Sequence, residues 1–187
     1  MDSRKRTARL AGFLYLLQSS APFVLIYLPG KITVRGDAAA TAHRIAAHQR
    51  LVDLNIFVHL CNLVLFILLA VVLYRLLSEV HKTRAGLMVI LVLVSVPLSF
   101  LAVLADVGML ALVRGGNYLA SFTSAQIDSL VYFLLVMRGK AILVAQIFWG
   151  LWLLPFGMLV MRSRFLPRIL GVLLILNGIA YPIISLV

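Results

Sequence analysis

Five long apolar stretches, near residues 10–28, 54–74, 86–108, 141–161 and 169–187, take up most of a 187-residue chain. Each approaches the ~20 residues an α-helix needs to cross roughly 30 Å of hydrocarbon. Connections use up the remainder, so the chain reads as one transmembrane helical domain with no room for a soluble one. Hydrophobic residues make up 63% of it and charged residues 12%, far more apolar surface than a single soluble core of this size would bury. The expected fold class is all-α: an integral membrane bundle of five helices, with the bilayer as folding solvent.

The formal charge of +11 would point to nucleic acid in a soluble protein. Here the basic residues sit in short segments between apolar runs, where they act as topology signals, so the expected partner is the lipid bilayer and not nucleic acid. Cys61 is the only cysteine, which excludes an internal disulfide, a CxxC redox pair and a four-cysteine metal site. Arg4, Lys5, Arg6 and Arg9 before Leu10 to Leu17 resemble a signal peptide, with Ser19-Ser20-Ala21 as a cleavage site. Pro22 would follow that site directly and the apolar run resumes through Leu28, so a retained helix is preferred.

Pro29-Gly30 is expected to stop the first helix, with a loop over Lys31 to Gly36. From Asp37 to Ala85 there is neither glycine nor proline. One continuous helix is expected there through Tyr74, N-capped by Asp37, its first turns forming an external extension of the second span, with Arg75 to Arg84 as a short basic connection after it. The third run exceeds a perpendicular crossing, so it must tilt, kink at Pro97 or emerge early. Ser124 to Met137 reads as a separate external or interfacial helix before the fourth span, and Pro155 bends that span. Gly150 with Gly157, and Gly171 with Gly178, each recur at a spacing of seven, which places small residues on one helix face for close packing.

Lysine and arginine set the orientation. Arg4, Lys5, Arg6, Arg9, Arg75, Lys82, Arg84, Arg162, Arg164 and Arg168 crowd short segments on one side, against a sparser set in longer loops on the other. The N-terminus is therefore expected in the cytosol and the C-terminus outside.

Arg44, His48, Asn55, His59 and Asn62 fall within about 60° of one another on a helix, a polar stripe entering the membrane from outside. Antiparallel geometry brings Asp106 and Gln146 to the depth of His59. The candidate site is a polar pocket open to the external side, lined by His59, Asp106 and Gln146, with Asn62 beneath, Asn55 on the same stripe and His48 at the mouth. The competing reading, preferred on sequence alone, is that these groups only hydrogen-bond helices together, at about 0.6 kcal/mol each. Gln18, Ser19, Ser20 and Asn177 form a second set read as inter-helix contacts.

Known chemistries find no purchase. His43 and His48 are five apart, where one metal on one helix calls for four, and His48 and His59 lie about 16 Å apart along the axis, too far to share a haem iron. No GxSxG elbow, Walker loop or acidic metal motif is present. No catalytic residue, metal site or cofactor is expected.

The C-terminal half is the most distinctive: Phe148-Trp149-Gly150-Leu151-Trp152-Leu153-Leu154-Pro155, then Arg162-Ser163-Arg164-Phe165-Leu166-Pro167-Arg168-Ile169-Leu170-Gly171 and Gly178 with Tyr181. With Arg9-Leu10-Ala11-Gly12, Ala47-His48 and Leu73-Tyr74-Arg75-Leu76-Leu77, the chain resembles, over nearly its full length, the bacterial multi-pass membrane family catalogued as domain of unknown function 4386. The resemblance implies a bacterial cytoplasmic (inner) membrane protein and carries over no catalytic residue. In the Arg-Ser-Arg-Phe-Leu-Pro-Arg loop, Pro167 ends a tight turn and the arginines pin helix ends at an anionic leaflet. Alternatively, Arg162, Arg164 and Arg168 bind lipid headgroups or an acidic partner. The function expected is a non-enzymatic accessory or sensory component that binds a small ligand or a membrane-protein partner on the external side. An oligomeric transport or permeation protein is second, and an intramembrane enzyme or haem protein third.

Overall fold

The protein is described by a computed structural model covering the backbone of residues 3–186 and the side chains of residues 4–21 and 30–185. The side chains of Pro22 to Pro29 in the first expected span, and Val187 at the end of the fifth, lie outside the described residues. Every regular element among the described residues is helical: α1 (Ser3–Ile32), α2 (Ala38–Ala47), α3 (Gln49–Leu77), α4 (Lys82–Arg114), α5 (Ser124–Leu151), α6 (Leu153–Arg162) and α7 (Arg168–Leu186), with a 3-10 turn at Asn117–Leu119. Among the described residues four helical segments are long and apolar enough to cross a membrane: Gln49–Leu77, Lys82–Arg114, Ser124–Arg162 and Arg168–Ser185. Each exposes a stripe of large apolar side chains, Phe57, Ile90, Leu104, Phe133 and Ile184 among them, as lipid-facing helices do and water-facing ones do not. The chain is an integral, multi-pass membrane protein.

Three local expectations are corrected. α1 does not stop at Pro29-Gly30 but continues to Ile32; a membrane helix tolerates a proline where neighbouring groups take up the freed carbonyl. The helix expected from Asp37 through Tyr74 is not continuous. It breaks at His48, whose backbone leaves the helical region (φ −119°, ψ 28°); the gap between α3 and α4 falls within the connection expected over Arg75 to Arg84. The His48 backbone N–H still reaches the Arg44 and Ile45 carbonyls, and the imidazole Nδ1, 2.8 Å from the Arg44 oxygen, must carry its proton there to donate. The break thus keeps the Arg44 and Ile45 carbonyls bonded. Finally, residues 124–137 are not a separate interfacial helix. They are the first half of α5, which runs unbroken to Leu151 and resumes after Trp152 as α6. Pro155, in the first turn of α6, has no N–H to return to Leu151, which is why the helix parts there.

Asp37 caps α2 as expected: its Oδ1 accepts from the Ala40 N–H at 2.8 Å. Asp37→Ala should cost ~1 kcal/mol, read as a lower unfolding midpoint and faster amide exchange confined to the first turn of α2. α4 holds Pro97 on an exposed face, and the Ser95 and Ser99 hydroxyls donate to the Val92 and Ser95 carbonyls on the buried one. At its end Gly115 takes a positive φ of 76°, the left-handed closure that glycine adopts without a Cβ penalty.

The chain divides into two compact units. One comprises Met1–Ser19, Leu63–Ser99 and Leu143–Val187; its core is Leu69, Leu77, Met88, Val92 and Leu159 around a ring cluster in which Phe66 meets Trp152 edge-on at 5.1 Å and Trp152 stacks on Phe156 at 5.4 Å. α7 docks here on small residues: the Gly150 and Gly178 backbones meet, and seven residues along each helix so do Gly157 and Gly171. The other unit comprises Ser20–Asn62 and Phe100–Ile142; its core is Ile32, Ile45, Val52, Met109, Leu110 and Val131. The Tyr132 hydroxyl accepts from the Gly36 N–H at 3.0 Å, tying the loop before α2 to α5.

Candidate functional site

Among the described residues, the second unit carries the buried polar side chains that lack a hydrogen-bond partner. On α3 the residues turned inward are Val52, Asn55, His59 and, half-buried, Asn62, recurring at three and four residues as one helix face must. The polar stripe is thus the packed face of the helix, while Leu51 is exposed beside it. α4 turns Ala102, Asp106 and Met109 inward at the same period, and α5 turns Val131 and Arg138.

Register fixes how deep these groups lie. At the end of α4, Arg114 Nη2 lies 2.6 Å from Asp53 Oδ2, and its Nε donates to Gln49 Oε1 at 3.3 Å. Asp106 is eight residues, about 12 Å, along α4 from that pair. On antiparallel α3, His59 is six residues, about 9 Å, beyond Asp53, so Asp106 and His59 lie within one helical turn of the same level, below a half-exposed ion pair.

Arg138 meets Asp106 there. Its Nε lies 2.8 Å from Asp106 Oδ1, with the two side chains only 8% and 1% exposed. The N–H does not point along this contact, and neither carboxylate oxygen has an aligned donor among the described residues. The guanidinium also lies within electrostatic reach of His59. Close packing makes the meeting feasible: a Cβ on Gly108 would stand 2.9 Å from Leu134 Cδ1, one turn before Arg138 on α5. In the same unit, Asn55 Oδ1 and Nδ2, His59 Nδ1 and Asn62 Oδ1 are buried without a hydrogen-bond partner among the described residues. Each such group is expensive to leave unpaired, at about 1–3 kcal/mol.

Of the residues expected to line a pocket, Asn55, His59, Asn62 and Asp106 all fall in this unit. Gln146 belongs to the other unit, where its Oε1 accepts from the Ser185 hydroxyl at 3.2 Å. His48, at the junction of α2 and α3, spends its ring nitrogen on Arg44. Arg162, Arg164 and Arg168 are exposed around the turn between α6 and α7, which Ser163 closes by donating to the Val160 carbonyl. Among the described residues no three His, Cys, Asp or Glu side chains stand close enough to share a metal ion.

Arg138 was missed because Arg-Gly-Lys at 138–140 has the composition of a loop. The available signal was spacing: Val131, Arg138 and Ala145 are seven apart, and all three are buried on one face of α5.

The sequence model of a protein family described as a domain of unknown function (DUF4386) matches residues 10–187. No curated protein and no solved structure matches the chain.

Proposed function

We propose a role for this chain, which belongs to the DUF4386 family, from its own geometry: a non-enzymatic accessory or sensory membrane component that binds a small polar ligand among Asn55, His59, Asn62, Asp106 and Arg138. One observation carries the reading. Four buried side-chain atoms of Asn55, His59 and Asn62 lack a hydrogen-bond partner in the same unit as a buried ion pair whose two carboxylate oxygens also lack an aligned donor among the described residues.

Their chemistry defines the ligand. Both asparagine carbonyls and both Asp106 oxygens accept, and His59 Nδ1 accepts when its proton sits on Nε2; only Asn55 Nδ2 must donate. A complementary ligand therefore presents several N–H or O–H donors. Asp106 and Arg138 offset each other's charge, which favours a neutral solute such as a small amide or polyol over an ion. Such a ligand would join α3 to α4 and stabilise the bound arrangement in proportion to its occupancy.

The topology that suits this reading has five spans, α1 being the fifth, with the N-terminus in the cytosol of a bacterial cell and the ligand entering from outside. The 39 residues of Ser124–Arg162 extend about 58 Å, nearly twice the hydrocarbon thickness, so the first part of α5 would stand beyond the bilayer beside α2.

Thermal unfolding of purified protein against a panel of small amides and polyols tests the proposal. At least one solute should raise the midpoint saturably, and Asn55→Leu should abolish that rise while the variant remains folded. If no solute stabilises saturably, or Asn55→Leu leaves the response intact, the groups serve packing alone and the proposal fails.

A further inference from the structure

A cleft of about 100 Å³ opens in the first unit, lined by Arg4, Thr7, Arg75, Leu76 and Glu79. It lies where the first turn of α1 meets the last turn of α3. Arg4 forms an ion pair with Glu79 and lies over the Phe165 ring, 5.3 Å from its centroid, which brings the loop between α6 and α7 to the same place. Arg75 is exposed and has no hydrogen bond or ion pair among the described residues. We propose that this cleft holds the phosphodiester of an anionic phospholipid, gripped between Arg75 and Arg4.

Size and charge select the group. The volume equals that of about three water molecules, room for a phosphate and too little for a drug-sized ligand. Arg75 brings to the cleft a positive charge that no ion pair among the described residues offsets, which suits an anionic phosphodiester. Guanidinium is the side chain best shaped to grip two phosphate oxygens at once.

The surface beyond the cleft selects a lipid over a free phosphate. From Arg75, the positions four, seven and eleven residues back along α3 are Val71, Leu68 and Val64, all exposed and apolar. They form one stripe under Arg75, about 16 Å long, the depth of one leaflet's hydrocarbon. An acyl chain attached to the gripped phosphate would lie along it. Arg162, Arg164 and Arg168, exposed around the Phe165 loop, add a positive field that attracts anionic headgroups without fixing any one of them.

Native mass spectrometry of protein in a nonionic detergent, titrated with phosphatidylglycerol, phosphatidylcholine or inorganic phosphate, tests the site. One phosphatidylglycerol per chain should be retained, with phosphatidylcholine at least about tenfold weaker. Arg75→Gln should weaken retention by roughly tenfold or more, the scale of a lost charge-assisted hydrogen bond. Arg164→Gln, an equal loss of charge on the neighbouring loop, should leave it within about twofold. Equal retention of the two lipids, or equal loss in the two variants, would reduce the site to diffuse surface charge and overturn the proposal. Inorganic phosphate binding as tightly as the lipid would overturn the lipid assignment. Should Arg75→Gln fail to fold, the headgroup preference of the native chain and the weaker retention by Arg75→Lys decide alone.

Discussion

Arg138→Met is expected to lower the stability of the folded protein by about 3–5 kcal/mol, the largest effect of any single side-chain truncation proposed here. The variant removes the cation paired with Asp106, whose side chain is 1% exposed and whose oxygens have no aligned donor among the described residues. A carboxylate in that position can neither reach water nor share its charge. Adding Asp106→Leu should then recover most of the loss, because an apolar pair of similar volume needs no compensation and such replacements are often neutral or stabilising. Denaturant unfolding of the two single variants and the double variant, in one detergent, measures the coupling as a double-mutant cycle. Asp53→Asn serves as the reference. It breaks an ion pair of comparable length whose side chains are about half exposed, and such pairs contribute only ~0–1 kcal/mol. Should Arg138→Met cost no more than Asp53→Asn, the guanidinium is reaching water and the buried cluster does not exist as described.

The same cycle separates stability from binding. The apolar double variant deletes two of the acceptors offered to a ligand yet retains the packing of α4 against α5. A folded double variant that no longer responds to the solute stabilising the native chain would show that the ion pair is kept for binding. An unchanged response would assign the ligand to Asn55, His59 and Asn62 alone.

Hydrophobic pattern made the membrane class and most helix positions legible, because lipid forces every spanning backbone into helices and every long apolar run into contact with it. Asp37 was legible as a cap because the cap bond is local. The inward face of α3 was legible because Asn55, His59 and Asn62 share a helical period. What local pattern cannot carry is pairing across helices. Arg138 reads as a loop residue so long as its charge is counted alone, since an unpaired cation among packed helices is costly. With Asp106 beside it the cation is matched among packed helices, so the helix boundary expected after Met137 and the missed arginine share one cause. The break at His48 was hidden because no glycine or proline marks it; the imidazole adds a bond to the Arg44 carbonyl, which the His48 backbone N–H also reaches. Gln146 shows the limit of reasoning from depth alone, because the side chain it meets, Ser185, comes from α7.

Gly157→Val is the second large effect, and it tests how α7 is held. A Cβ on Gly157 would stand 2.7 Å from the Gly171 carbonyl oxygen, and one on Gly171 would stand 2.7 Å from the Gly157 oxygen; Gly150 and Gly178 are related in the same way at 2.6 and 2.9 Å. These contacts are with backbone, so no rotamer change relieves them and the helices must separate. Overpacking of this kind costs about 1–3 kcal/mol for small insertions, and valine adds two methyl groups beyond the Cβ. The loss spreads further because association in lipid relies on close packing instead of a hydrophobic driving force, and α7 has little else: Gly171 and Gly178 are its buried positions among the described residues. Gly157→Val should therefore lower the unfolding midpoint and leave α7 open to limited proteolysis while α3 and α4 stay protected. Gly139→Ala gives the contrast. Nothing lies within 4 Å of a Cβ there, so the variant should gain ~0.5–1 kcal/mol from reduced backbone freedom in the unfolded chain and better helix propensity. If both variants proved equally benign, α7 would not be seated on α6 through these glycines, and the register that aligns Gly150 with Gly178 would have to be abandoned.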